Sequence, residues 1–279
     1  CKASFRMKIH SFLHKIVDLK KKEIETLYTH FGLNYFKDKV VSEKERLISK
    51  SDDTSSPKKT FKESLSDNGL SLISEIKKAS PSKGIIRHEF DPLLVASEFE
   101  RSGASAYSIL TEIPHFQGHP DYLRAVRKQS LLPILRKDFL LDPIQLYEAK
   151  EMGADAVLLI KTLLTDEQSI DLSHLAMTLK MDVLMEVHDE EELSQVLDYN
   201  LPFIIGINNR NLSTFETDIN RAFVLKNYAD ERGYEGLLVA ESGYSRVSQL
   251  KALEKSGFSA VLVGEGLAKN PEMLEYFSK

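Results

Sequence analysis

Short runs rich in aliphatic and β-branched residues recur along the chain, and most of them close on a polar or charged position. They are Leu72 to Lys77, Ala106 to Thr111, Pro133 to Lys137, Ala156 to Lys161, Val183 to Val187, Phe203 to Asn208, Leu237 to Glu241 and Ala260 to Gly264. Their length and residue types predict strands. Between them apolar residues return at helical spacing, over Leu93 to Ser102, Ile144 to Met152, Ser169 to Leu179, Glu190 to Leu197, Ile219 to Tyr228 and Ser245 to Ser256. Several helices run into a glycine just before the next strand, at Gly103, Gly153 and Gly257, which predicts left-handed caps there.

Strands that alternate with helices imply right-handed crossovers and a parallel sheet. Eight such units in roughly two hundred residues match a closed (β/α)8 TIM barrel in the α/β class. The competing architecture is a doubly wound open sheet, but the G-x-G-x-x-G fingerprint of a dinucleotide fold does not follow the first strand. Ahead of the barrel, Phe12, Leu13, Ile16, Val17, Leu19, Ile24 and Leu27 follow helical spacing and predict an amphipathic helix. Residues Lys50 to Thr60 are polar enough to predict a mobile linker, and a short helix is expected around Phe61 to Leu65. The expected division is an N-terminal helical extension with its linker at 1–65 and the barrel at 66–279.

Composition narrows the function classes. The 279 residues can bury a full-size core, and 42% hydrophobic with 28% charged residues indicates a globular protein. A net charge of −5 lacks the basic footprint of a nucleic-acid binder, and the run Lys20-Lys21-Lys22 reads as a solvated helix face. A single cysteine, Cys1, excludes an internal disulfide and any multi-cysteine metal site, which fits the cytoplasm. No apolar run approaches a membrane span, and charges interrupt the start Phe5 to Leu13, so no signal peptide is expected. Residues before Met7 read as an extension, and the chain's end soon after the eighth unit suggests a monofunctional protein.

The chemistry gathers at strand ends. Ile73, Glu75 and Lys77 share one face of the first strand, a pattern that on its own reads as an ordinary wet sheet face. A barrel changes this reading, because its active site sits at the C-terminal mouth. Lys77, Lys137, Glu186, Asn208 with Arg210, and Glu241 then all aim at one place. Glu241-Ser242-Gly243 and Gly264-Glu265-Gly266 after the last two strands put small residues where backbone N–H groups could hold phosphate, although glycines there also serve as plain turns.

Six motifs in order resemble the indole-3-glycerol phosphate synthase family: Glu75-x-Lys77-x-x-Ser80-Pro81-Ser82, Leu135-Arg136-Lys137-Asp138-Phe139, Met185-Glu186-Val187-His188, Gly206 to Leu212, Ala240-Glu241-Ser242-Gly243 and Val263-Gly264-Glu265. The resemblance spans about Ile9 to the C-terminus. It implies that 1-(2-carboxyphenylamino)-1-deoxyribulose 5-phosphate is cyclised, decarboxylated and dehydrated to indole-3-glycerol phosphate in tryptophan biosynthesis, with no metal or organic cofactor. It implies Lys137 as general acid of ring closure, Glu186 and Lys77 for dehydration, and Glu75 as the carboxylate that orients the lysines. Asn208 would bond the reacting hydroxyl, with Ser242 and Glu241 beside the substrate. Phe116 and Phe139 would wall the aromatic ring, or else simply pack the core. Lys77, Ser80, Gly243, Gly264 and Glu265 would hold the phosphate with Arg210 close by, and the loop carrying Pro81 would close over it. Glu265, an anion in a phosphate site, departs from the serine of many relatives, and Lys161-Thr162 and His119 depart in their own loops. The lysine at 161 is expected at the rim of the site. Partners implied are a small phosphosugar, no nucleic acid and no membrane, with a monomer that associates with other enzymes of the pathway.

Two rivals remain at this stage. Another phosphosugar barrel enzyme, such as phosphoribosylanthranilate isomerase, would need a cysteine base early in the barrel. A barrel that binds a phosphate metabolite without catalysis needs only the fold.

Overall fold

The computed structural model describes residues 2–49, 59–67, 69–212, 214–270 and 272–278, with the side chains of 2–11, 43–49 and 268 excepted. Most of the proposed linker, 50–58, lies outside the described residues. Eight parallel strands, β1 (Ser71–Ile76), β2 (Ala106–Leu110), β3 (Ile134–Lys137), β4 (Ala156–Ile160), β5 (Asp182–Val187), β6 (Ile204–Asn208), β7 (Leu238–Glu241) and β8 (Ala260–Val263), pair in sequence order. Pairing of Ser71 with Ala260 and of Ile73 with Leu262 closes β8 back on β1. This is the (β/α)8 barrel expected from the repeat.

Parity along the strands sorts the core. Ile73, Ala106, Leu135, Leu158, Leu184, Val239 and Leu262 fill the interior, whereas Leu72, Ile109, Val157, Met185 and Ile207 face the surrounding helices. Those helices are α4 (Pro92–Arg101), α5 (Pro120–Gln129), α6 (Pro143–Glu151), α7 (Asp166–Thr178), α8 (Glu190–Asp198), α9 (Asn220–Glu231) and α10 (Val247–Lys255), followed by the short α11 (Glu265–Lys269) and α12 (Glu272–Glu275). Asp91, Asp142, Thr165 and Asp189 cap the first turns of α4, α6, α7 and α8 with side-chain oxygens. Gly103, Gly153 and Gly257 take φ of +84°, +91° and +77°, the left-handed conformation expected of them. Helix α5 has no counterpart in the periodic reading. Only Leu123 and Val126 of it are fully buried, too thin a stripe to register, although Pro120 at its first turn is a start signal.

The N-terminal helices α1 (Lys2–His30) and α2 (Gly32–Ser49) pack on the barrel's mouth and flank. Phe12 and Ile16 join the interior cluster from above, and Leu27, Phe36 and Ile144 form a second contact with α6. Burying such side chains contributes roughly 1.5–3 kcal/mol each. Two sequence expectations fail on α1. Leu19 is exposed, and Lys20, grouped with the solvated lysines, is 2% exposed. Its Nζ lies 2.6 Å from Asp138 Oδ1 and 2.8 Å from Glu23 Oε2, because α1 turns that face onto the loop after β3. At the opposite end α3 (Phe61–Ser64), held by a Thr60–Glu63 capping box, plugs the barrel with Phe61 and Leu65.

Candidate active site

A cavity of about 430 Å3 opens at the C-terminal mouth. Its walls include Glu75, Lys77, Ser80, Pro81, Phe116, Lys137, Phe139, Glu186, Asn208, Arg210, Ser242, Gly243, Gly264 and Glu265. Glu241, expected beside the substrate, is not on the wall; it lies fully buried just beneath. All eight strand ends or the loops just beyond them thus converge, as they must in a barrel.

Charge is arranged in two clasps. From β3, Lys137 Nζ sits 2.5 Å from Glu241 Oε2 on β7 and 3.5 Å from Glu186 Oε2 on β5. Burial works against its ammonium, but Glu241, Glu186 and Glu75 outweigh it and raise the lysine's pKa well above the ordinary range. The two carboxylates divide. Burial opposes charge on Glu186, yet Lys137 and His188 hold its pKa low. Burial and the neighbouring Glu186 and Glu75 push Glu241 up despite Lys137. Across the mouth Lys77 forms a close ion pair with Glu75, whose pKa stays below the ordinary value because Lys77 and Lys137 overcome its burial.

Missing side chains make room for these groups. A Cβ on Gly206 would collide with Glu241 Oε1, and one on Gly264 would stand 2.5 Å from Glu75 Oε2. Gly206→Ala is therefore expected to dislodge Glu241 from Lys137, with a loss of about 1–3 kcal/mol in stability from overpacking. Turnover should fall with it. Chemical denaturation and steady-state kinetics on the same preparation would check this, and an unchanged kcat would show that Glu241 need not clasp Lys137.

The upper wall comes from loops. Residues Ala79–Ser80 pair with Gly84–Ile85 in a small hairpin, and Arg210 NH1 donates to Ser82 Oγ at 2.7 Å, joining that hairpin to the loop after β6. Ser80 Oγ and Arg210 Nε are buried and lack a hydrogen-bond partner among the described residues. Asn208 Oδ1 accepts the Arg210 backbone N–H at 3.0 Å, so the interaction of its side chain with Glu186 falls to the amide nitrogen. Ser242 and Gly243 both have positive φ, +66° and +93°, and Asn209 Nδ2 donates to Ser242 O and to Tyr244 Oη, fixing that turn. Lys269 pairs with Glu265 at 2.5 Å.

Several wall residues escaped sequence reasoning. Phe12 and Leu13 of α1 roof the cavity, and Phe12 packs edge-on against both His115 and Phe215. Glu112, 2% exposed, accepts the His115 and Phe116 backbone N–H groups and so sets the Phe116 loop. Lys83 also lines the cavity. Conversely, Lys161 is not at the rim as expected: its Nζ turns to Asp166 Oδ1 at 3.0 Å. His119 instead caps α5 by accepting the Asp121 N–H.

A family model described as indole-3-glycerol phosphate synthase matches residues 13–277. Curated relatives of that name include one from Lachnoclostridium phytofermentans, 44% identical over 75% of this chain and 76% of its own length. Another, from Bacillus pumilus, is 45% identical over 79% and 88%, and one from Chloroherpeton thalassium is 40% identical over 95% and 98%. Among the described residues no helix is long and apolar enough to cross a membrane.

Proposed function

We propose how the cavity works from the premise that the chain belongs to the indole-3-glycerol phosphate synthase family. The reaction is that of a carboxy-lyase: 1-(2-carboxyphenylamino)-1-deoxyribulose 5-phosphate closes to an indole ring with loss of CO2 and water. In the first step the ring carbon bearing the carboxylate attacks the ketone carbon, and the ketone oxygen becomes an alkoxide unless a proton arrives. Lys137 supplies it. The raised pKa of this lysine does not prevent transfer, since an alkoxide is a far stronger base than an amine. CO2 then leaves and restores the aromatic ring.

Dehydration requires an acid at the departing hydroxyl and a base at the neighbouring carbon. Lys77 on the β1 side and Glu186 on β5 stand across the barrel from one another, four strands apart, and supply an ammonium and an ionised carboxylate. Asn208 donates its amide N–H to the hydroxyl, and Glu75 holds Lys77 in place through their ion pair. Phe116 and Phe139, with ring centroids 6.2 Å apart, border the aromatic ring under Phe12 and Leu13. The phosphate is taken at the Gly243 and Gly264 amides with Ser80, Lys77 and Arg210, while Lys269 draws the Glu265 charge aside.

The observation that carries this reading is the Lys137 ammonium clasped between two buried carboxylates and facing a second lysine–glutamate pair. Plain metabolite binding needs no such acid–base set. Supplying the carboxyphenylamino substrate and following indole fluorescence, with the product's mass, tests it. Binding without product from a folded protein would leave the non-catalytic barrel standing. The same reading takes the enzyme as a cytoplasmic monomer that associates with enzymes of its pathway, and sedimentation of the purified chain would check the monomer.

A further inference from the structure

Glu186 is flanked on both sides. Its Oε2 faces Lys137 at 3.5 Å, while its Oε1 lies 3.3 Å from His188 Nε2, two residues on and just past the end of β5. Oε1 and Nε2 are both buried without a hydrogen bond of ordinary geometry, and they face one another at that 3.3 Å. His188 does not line the cavity, and its side chain is 12% exposed.

The imidazole is itself held from behind. Glu192, one turn into α8, accepts the His188 backbone N–H at 2.8 Å with Oε2, and the same oxygen stands 3.3 Å from Nδ1. Thr162 Oγ1 donates to Glu192 Oε1 at 2.6 Å and sits 3.2 Å from Nδ1. The ring therefore lies between two carboxylates from different elements, with Lys161 of the adjoining turn diverted to Asp166. The groups that bear on Glu186 from the remaining elements are Lys137 on β3, Asn208 on β6 and the Glu241 carboxylate on β7.

We propose that His188 is a positioning residue for Glu186: as an imidazolium backed by Glu192 and Thr162, it anchors the carboxylate oxygen turned away from Lys137 and keeps Glu186 aimed and ionised as the base. The proposal rests on the reading of Glu186 given above. Burial disfavours the charged ring, but Glu186 and Glu192 overcome it and raise His188 to about 9, so the cation is present at neutral pH. Without His188 the only cation on Glu186 is Lys137, and the carboxylate loses that charge as the lysine gives up its proton. A second, fixed cation prevents this.

His188→Gln is expected to lower kcat about tenfold or more at pH 6 with little change in KM, and to move the acid limb of kcat/KM upward by about one pH unit, the scale on which one nearby charge shifts a carboxyl. The sign follows from the loss of a cation, which lets Glu186 take up a proton at higher pH. His188→Lys, which restores a positive charge, should return the acid limb toward the wild-type position. Glu192→Gln removes the rear anion, so His188 should lose its proton nearer neutrality and the alkaline limb should move down. If His188→Gln fails to fold, Glu192→Gln carries the test alone, with a histidine NMR titration reporting the ring directly. Superimposable profiles for whichever of the two folds would overturn the proposal. Absence of turnover in the wild-type protein would instead overturn the functional reading.

Discussion

Lys137→Ala is expected to reduce kcat by about 10²- to 10⁴-fold while substrate binding remains measurable, because the variant removes the proton donor of ring closure and leaves the phosphate and aromatic walls intact. The environment makes a second effect unavoidable. Without the ammonium, Glu186 and Glu241 face one another in a buried site, and two such carboxylates cannot both stay ionised. Glu241, already pushed upward, is the one expected to take the proton. The residual rate should therefore depend on pH differently from the wild type, and small primary amines should restore part of it. Equal kcat in the variant would remove Lys137 from the mechanism; equal losses in binding and turnover would point to collapse of the clasp instead.

The barrel was legible because its strands are buried on both faces and read as apolar runs that close on polar ends. The same property made the charged and polar side chains at positions 75, 77, 137, 186, 208 and 241 legible as one set, since closing the sheet brings strand ends together whatever the loops do. Depth was not legible. Glu241 matches the other strand-end charges in sequence, yet it drops below the cavity because Gly206 on the neighbouring strand leaves space for its carboxylate. Residues that reach the site from α1 and the loops, such as Phe12, Phe215 and Glu112, give no sign in sequence of where they dock, because tertiary packing alone brings them there. Lys161 shows the converse: a polar residue at the right place in the repeat was turned away by a partner, Asp166, in the next helix.

Lys20→Met is expected to be the costliest substitution outside the cavity, with a loss of about 3–5 kcal/mol, the usual penalty for breaking a buried ion pair from one side. Methionine keeps most of the stem's volume, so the loss is electrostatic. Asp138 Oδ2 would still bond Thr111 Oγ1 at 2.5 Å and face Arg136, but Oδ1 would keep only the Phe139 N–H. Asp138 stands between Lys137 and Phe139, both on the cavity wall, so the pair joins α1 to the strand end that carries the acid. The damage should therefore appear first as undocking of α1, seen as faster amide exchange there and a raised KM as Phe12 and Leu13 leave the roof. Adding Asp138→Asn to Lys20→Met should recover part of the loss, since the double variant no longer buries a carboxylate that has lost one of its two cations. Acidification gives a further check. Burial opposes charge on Asp138, but Lys20 and Arg136 win and hold its pKa low. Its contribution is thus complete above the ordinary aspartate value of about 3.9 and fades as pH falls through the lowered one, so the wild-type advantage should shrink at low pH. A stability gap that persists unchanged into acid would mean that Lys20 acts through packing and not through its charge.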